Sequence, residues 1–130
     1  MATNENIKDL VEKGISQYGN KANLNYIDTS KVTDMSELFS DSDFNGDISK
    51  WDVSNVTDMS FMFNKAKSFN QNLNNWDVSN VRNMSSMFRE AISFNQNLNN
   101  WDVSKVTNMD DMFNGATSFD PENCRWYFDR

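Results

Sequence analysis

The sequence of 130 residues has no histidine, one cysteine, one proline and only four glycines. Without histidine, the chain lacks the side chain that most often acts as a general base near neutral pH and most often binds a metal. A single cysteine, Cys124, excludes a disulfide within the chain, and we expect it to be a partly buried small residue rather than a nucleophile. The scarcity of proline and glycine leaves no candidate linker, so we expect one continuous domain.

Long apolar runs are also missing, and none approaches the roughly 18 to 20 residues of a membrane-spanning helix. The first residues do not combine a basic segment with an apolar one, as a signal peptide does. If the chain is complete, this predicts a cytoplasmic protein. Acidic residues outnumber basic ones by 19 to 12, which gives a net charge of −7. We therefore expect neither nucleic acid nor membrane insertion, because phosphate backbones and anionic headgroups attract Lys/Arg patches.

What the chain does contain is a repeat of 25 residues. Tryptophans recur at this spacing, at positions 51, 76, 101 and 126. The segment Ser68–Ser79 returns unchanged as Ser93–Ser104, and Ile27 takes the tryptophan position in a first unit that is one residue shorter. A period of this length marks units that stack on their neighbours to bury a shared core. We predict about four repeats of 24–25 residues over residues 24–130.

The segment before the repeats has the apolar spacing of an amphipathic helix. Its apolar residues are Ile7, Leu10, Val11, Ile15 and Tyr18. Thr3 or Asn4 can cap the start of this helix, and Gly19 suits the position after its end. The sequence therefore predicts an N-terminal capping helix within residues 1–23.

Each repeat shows two further patterns. Alternation at Trp76 and Val78 is typical of a short, half-buried strand. Residues 81–91 then carry apolar side chains at helical spacing. Together these patterns predict an α/β solenoid, a leucine-rich-repeat-like right-handed coil with short parallel strands and short helices. Residues 126–128 should form a last, uncovered strand, so we expect a weak homodimer through the C-terminal end.

Several motifs of the repeat point to a known family. They are Trp-Asp-Val-Ser-Asn-Val-Thr-Asp-Met at 51–59, Trp-Asp-Val-Ser-Lys-Val-Thr-Asn-Met at 101–109, and Met-Phe-x-x-Ala at 62–66, 87–91 and 112–116. With them the chain resembles the BspA-like bacterial leucine-rich-repeat surface proteins, including the mycoplasma-lipoprotein type of unknown function. The resemblance implies parallel strands on a concave side and a non-enzymatic role in protein binding or adhesion, at the cell surface or after secretion. The alternative is an intracellular acidic inhibitor or immunity-type protein that meets a basic partner through charge.

One aspartate recurs in every repeat, at positions 28, 52, 77 and 102. These carboxylates can accept hydrogen bonds within a turn, bridge a divalent cation, or form a surface that reads a ligand. A pair of catalytic acids needs two different environments, whereas these four have the same one. We therefore predict no enzymatic activity and no cofactor or metal.

Asparagines recur beside the aspartates and can form either a ladder of amides or a polar array for a repetitive ligand. The methionines at helical spacing are expected to fill the core. The predicted strand face thus gives the candidate binding residues, for a protein or a repetitive polymer as partner. They are Lys50, Asp52, Asn74, Asn75, Asp77, Asn99, Asn100, Asp102 and Tyr127.

Overall fold

The computed structural model describes all residues 1–130 and contains two α-helices and one 3₁₀ helix. Helix α1 spans Ile7–Tyr18, a 3₁₀ helix spans Pro121–Asn123, and helix α2 spans Arg125–Phe128. No strands form a sheet. Neighbouring repeats share only single-residue parallel pairings, which join Asn23 to Asp47, Asp34 to Asp58, Asp58 to Asn83, and Asn83 to Asn108.

The predicted α/β solenoid of leucine-rich-repeat type is therefore wrong, first because its helices are absent. Residues 81–91 form consecutive turns, in which the N–H of Met87 bonds to the carbonyl of Met84 at 3.2 Å, and later residues repeat the pattern. Ser86 and Glu90 both have φ of 55°. An α-helix needs negative φ at every residue, so these two positions interrupt it. The apolar spacing indicated a helix, but the backbone follows a chain of turns.

The predicted strands are absent for a different reason. The N–H of Trp76 bonds to the carbonyl of Leu73 at 3.1 Å, and Val81 bonds in the same way to Val78 at 3.0 Å. These are turns within one repeat, and residues 74–79 make no backbone hydrogen bond to a neighbouring repeat. The predicted last strand at residues 126–128 is part of helix α2. No concave strand face exists in this molecule.

Neighbouring repeats are joined instead by alternate backbone groups of the turn stretch. The N–H groups of Met59, Phe61, Phe63 and Lys65 donate to the carbonyls of Asn83, Ser85, Met87 and Arg89 at 2.7–3.0 Å. The N–H groups of Met62, Asn64 and Ala66 bond within their own repeat. Every second N–H therefore points to the next repeat, which satisfies the backbone without a strand.

Two columns of phenylalanine rings form the interior. The first contains Phe39, Phe63, Phe88 and Phe113, whose centroids are 5.4–5.5 Å apart. The second contains Phe44, Phe69, Phe94 and Phe119, at 5.8–6.3 Å. Between the columns, rings of one repeat approach to 4.2–4.7 Å. The first repeat is one residue shorter between its two phenylalanines, yet both columns stay in register.

The tryptophans point inward, as predicted, and each is tied to the repeat before it. The indole N–H groups of Trp51, Trp76, Trp101 and Trp126 donate to the carbonyls of Leu24, Ile48, Leu73 and Leu98 at 2.8–3.1 Å. The first three rings are 4% exposed. Of the six methionines predicted to fill the core, those at 59, 62, 84, 87 and 112 are fully buried, while Met109 is half-buried.

The predicted N-terminal helix is confirmed, but its N-cap residue is Asn6, whose side chain makes no cap bond, rather than Thr3 or Asn4. Thr3 Oγ1 accepts from the N–H of Asn6 at 3.3 Å, while Asn6 Oδ1 accepts from the N–H of Thr3 at 2.7 Å. Such a reciprocal pair satisfies two free donors at a helix start. Gly19 follows the helix with φ of 89°. Gly14 lies where a Cβ would come within 2.5 Å of Leu24 Cδ2, so glycine lets the helix approach the first repeat.

Candidate binding face

The aspartate row consists of Asp28, Asp52, Asp77 and Asp102, all exposed. In each, Oδ1 accepts from the N–H of the serine two residues later at 3.0 Å. In the first three, the serine hydroxyl also donates to the same oxygen at 2.6–2.7 Å. The structure thus realises the turn role predicted for these carboxylates. The other oxygen, Oδ2, makes no hydrogen bond within the chain and faces outward to solvent or a partner.

The serines also lower the pKa of three carboxylates of the row. Hydrogen bonds from the hydroxyl and N–H of the following serine lower the pKa of Asp28 and Asp77 below the ordinary value of 3.8, and Ser104 lowers that of Asp102. The negative charge of Asp102 opposes this effect at Asp77, as the smallest of the contributions to its pKa. Hydrogen bonding to the charged form therefore outweighs repulsion along the row. These three carboxylates are ionised near neutral pH.

Two further sets of equivalent residues, with one member in each repeat, form the same kind of turn and can be compared with the aspartate row. One contains Asn23, Asp47, Asn72 and Asn97, and the other Asp34, Asp58, Asn83 and Asn108. Side-chain oxygens of the asparagines at 72, 83, 97 and 108 accept from the N–H two residues later at 2.8–3.0 Å. An amide oxygen therefore accepts the backbone bond of this turn as a carboxylate does, but only the carboxylates Asp47 and Asp58 also accept the serine hydroxyl. The aspartate row alone carries a carboxylate in every repeat.

Two of the predicted asparagines bond between repeats. Asn74 Oδ1 accepts from the N–H of Asn100 at 3.3 Å. Asn99 Oδ1 accepts from the N–H of Arg125 at 2.8 Å. These bonds are what the amide-ladder interpretation predicts. The side chains of Asn75 and Asn100 are exposed and make no hydrogen bond within the chain, so they are available to a partner.

Lys50 lies at one end of the predicted set, and the structure confirms that it is exposed. Its backbone N–H donates to Asn25 Oδ1 at 2.9 Å, the counterpart of the amide bonds in later repeats. Its ammonium group makes no ion pair, since the salt bridges join Arg89 to Glu90 and Arg125 to Glu122.

Tyr127 is not brought to the rows. It belongs to helix α2, is half-buried, and packs edge-to-face on Phe113 with centroids 5.2 Å apart. The guanidinium of Arg130 lies 4.0 Å from the centre of its ring. A last strand at residues 126–128 would have placed the tyrosine beside Asp102 in the row. As a helical residue, it belongs to the C-terminal end.

A second amide ladder is present that the sequence did not lead us to expect. Asn45 Oδ1 accepts from the N–H of Asn70, Asn70 from Asn95, and Asn95 from Asp120, each at 2.9 Å. Gln71 reinforces the first step by donating to Asn45 Oδ1 at 3.0 Å. The sequence pattern is an asparagine directly after the second phenylalanine in the first three repeats, at positions 45, 70 and 95. It was visible in the sequence, but only the stacking shows that its amide reaches the next backbone.

The remaining chemistry of the chain is sparse. Cys124 is fully buried, and this burial raises its pKa to about 12, so the thiol stays protonated. No three or more carboxyl or thiol side chains are grouped in a way that could hold a metal ion. Neither helix has the length and apolar character that crossing a membrane requires.

A comparison with curated proteins and with solved structures finds no match for this chain. A family model, described as "Mycoplasma protein of unknown function, DUF285", matches residues 6–126. This range includes helix α1 and all four repeats. The match confirms the predicted resemblance as far as it concerned a mycoplasma-type repeat. The chain therefore belongs to the family of mycoplasma proteins of unknown function, DUF285.

Proposed function

We propose that the chain is a non-enzymatic binding module that recognises a protein partner through its aspartate row. The observation that supports this is the row of exposed carboxylates, each held by a serine through one oxygen while the other oxygen is unbonded. A side chain fixed in this way loses little further freedom when it binds, which lowers the cost of recognition.

The internal comparison supports a role for the charge beyond the turn. Asparagine makes the same turn in the two other columns, so folding alone does not require a carboxylate at position 52, 77 or 102. The like charges of the row repel one another, although the serine hydrogen bonds outweigh this repulsion, and a cationic partner would remove it. We infer that the charge serves a partner in addition to the turn.

The partner that suits such a row is a protein surface rich in lysine and arginine. The net charge of −7 would steer a basic partner toward the molecule, and the row would fix its orientation. Asn75 and Asn100 lie beside the row in sequence and offer unbonded amides to the same partner. The likeness to BspA-like surface proteins supports adhesion as the purpose of this binding, without the leucine-rich-repeat fold.

The second candidate is an intracellular acidic inhibitor or immunity-type protein, which the same charge favours. It would use the same carboxylates, but its partner would be one basic protein rather than a repetitive surface. A stoichiometric complex that blocks the partner's activity would distinguish this candidate from an adhesive module.

The experiment compares two triple variants with the same loss of charge. Asp52→Asn, Asp77→Asn and Asp102→Asn neutralise the row and keep the acceptor oxygen. Asp34→Asn, Asp47→Asn and Asp58→Asn neutralise the other columns, where asparagine already occurs in later repeats. Binding to a lysine-rich peptide, and to any partner recovered with the wild type, is measured together with thermal stability.

We expect the row variant to bind roughly tenfold more weakly and the control to bind like the wild type, because only the row variant removes carboxylates of the proposed binding face. Both variants should melt near the wild type. Equal weakening in the two variants would show that only net charge matters. Unchanged binding in the row variant would remove the aspartates from the site.

A further inference from the structure

The main set of backbone bonds between repeats has a direction. At every internal junction, N–H groups at alternate residues of the turn stretch donate to the carbonyls of the following repeat, while a smaller set, such as the bonds from Thr57 and Asp58 to Thr33, runs the other way. Met84, Ser86, Phe88 and Glu90, for example, donate to Asn108, Asp110, Met112 and Asn114 at 2.8–2.9 Å. The two ends of the stack must therefore differ in hydrogen-bonding character.

At the C-terminal end, the equivalent donors have no acceptor. The N–H groups of Met109, Asp111, Phe113 and Gly115 make no hydrogen bond within the chain. We call these four groups the donor row. Helix α2 covers the apolar columns at this end, since the ring of Phe128 lies 5.4 Å from Phe113 and 6.0 Å from Phe119.

At the N-terminal end, the equivalent acceptors have no donor. The carbonyls of Asp34, Ser36, Leu38 and Ser40 accept no hydrogen bond within the chain. We call these four groups the acceptor row. A groove of about 230 Å³ runs beside it, between the start of helix α1 and residues 34–38. The groove is lined by three residues of the row, Asp34, Ser36 and Leu38.

Two backbone N–H groups at the N-terminal end are satisfied by a side chain, which accepts the bonds that a preceding repeat would accept. Asn4 Oδ1 accepts from the N–H groups of Thr33 and Asp34 at 2.9 and 3.2 Å. At the next junction, the carbonyl of Thr33 accepts from Thr57 and Asp58 in the same way. At this end, the side-chain oxygen of Asn4 therefore takes the place of a backbone carbonyl of a preceding repeat, and the carbonyls of the acceptor row are left unbonded.

We propose that a second copy of this chain docks on the acceptor row through its donor row, so that copies associate head to tail. Both rows contain four groups at alternate residues, the spacing that pairs three times inside the molecule. A donor row cannot bond to another donor row, so this pairing differs from the weak homodimer through the C-terminal end that the sequence led us to expect. Because the contact joins two different surfaces, it leaves a free row at each end and can continue beyond a dimer.

Charge makes this association weak at low ionic strength. Asp110 and Asp111 lie on the donor side, and Asp34, Glu37 and Asp41 lie on the acceptor side. Repulsion between exposed charges is screened by salt. Association should therefore increase with salt concentration, whereas binding of a basic partner to the aspartate row should decrease.

The test is sedimentation velocity from low micromolar to millimolar protein, at low and high salt. Asp110→Asn with Asp111→Asn removes the repulsion, and asparagine tolerates the positive φ at position 111. Asp77→Asn with Asp102→Asn is the control with equal loss of charge. We expect the first variant to associate at low salt and the control to need high salt, as the wild type does.

A second pair of variants tests the location. Ser36→Trp fills the groove, while Ser85→Trp places the same bulk at the equivalent position of an internal repeat. The first should remain monomeric, and the second should associate like the wild type. Excess Ser36→Trp protein should also stop the growth of wild-type assemblies, because it adds a donor row but accepts no further copy. Monomers throughout, equal behaviour of the two tryptophan variants, or a dimer that never grows would each overturn the proposal.

Discussion

The buried columns and the exposed columns of this molecule repeat at the same interval, but they differ in how far the residue type can change from one repeat to the next. Both phenylalanine columns keep the same residue in all four repeats, with rings 5.4–6.3 Å apart. Of the turn columns outside the core, two exchange asparagine and aspartate, whereas the aspartate row keeps its carboxylate in every repeat. The interior has to fill a fixed volume, whereas an exposed turn needs only one acceptor oxygen. Packing therefore fixes the first set, and the second can vary its charge.

The largest effect is expected from a buried column. Trp76→Ala should lower the free energy of unfolding by about 3–5 kcal/mol, because it leaves a cavity between two repeats. It also removes the indole hydrogen bond to Ile48 and the stacking of the ring on Trp101, 6.5 Å away. Chemical denaturation followed by near-ultraviolet circular dichroism measures the loss. A change no larger than that of an exposed substitution would show that the interior columns do not carry the stability.

Two glycines give the next contrast. A Cβ at Gly46 would lie 2.0 Å from the carbonyl oxygen of Ala22, so Gly46→Ala should destabilise the fold by about 1–3 kcal/mol or more. Gly115 has φ of 79°, but Lys65 and Glu90 hold positive φ at the equivalent positions. Gly115→Asn should therefore cost less than about 1 kcal/mol. Thermal unfolding of both variants measures the difference, and equal losses would mean that close packing at Gly46 is unimportant.

The smallest effect concerns the exposed row and depends on pH. Asp77 and Asp102 have lowered pKa values in the folded chain, so they stabilise it above their unfolded value. That contribution is lost as the pH falls through the folded pKa, below 3.8. Urea unfolding between about pH 6 and pH 2 should thus show the wild type losing more stability than Asp77→Asn with Asp102→Asn. Parallel curves would contradict the role of the serine hydrogen bonds.

Much of the candidate face could be predicted, because asparagine and aspartate favour turns in which their side chain accepts from the backbone two residues later. Asp52, Asp77 and Asp102 lie exposed in equivalent turns, as their spacing indicated. Tyr127 could not be placed from the sequence, because its position depends on whether residues 126–128 are extended or helical. That choice is made by contacts with Phe113 and with Arg130, which the local sequence does not reveal.

The sequence by itself determined the repeat, its register, the inward tryptophans and phenylalanines, the capping helix and the acidic surface, since all of these depend on side-chain type and spacing. Only the tertiary structure decided the path of the backbone. Spacing at residues 81–91 is compatible with a helix, but neighbouring repeats accept every second N–H and so favour turns with left-handed residues at Ser86 and Glu90. These bonds at alternate residues all run from one repeat to the following one, so they give the stack a donor row at one end and an acceptor row at the other, and that difference exists only once the repeats are stacked.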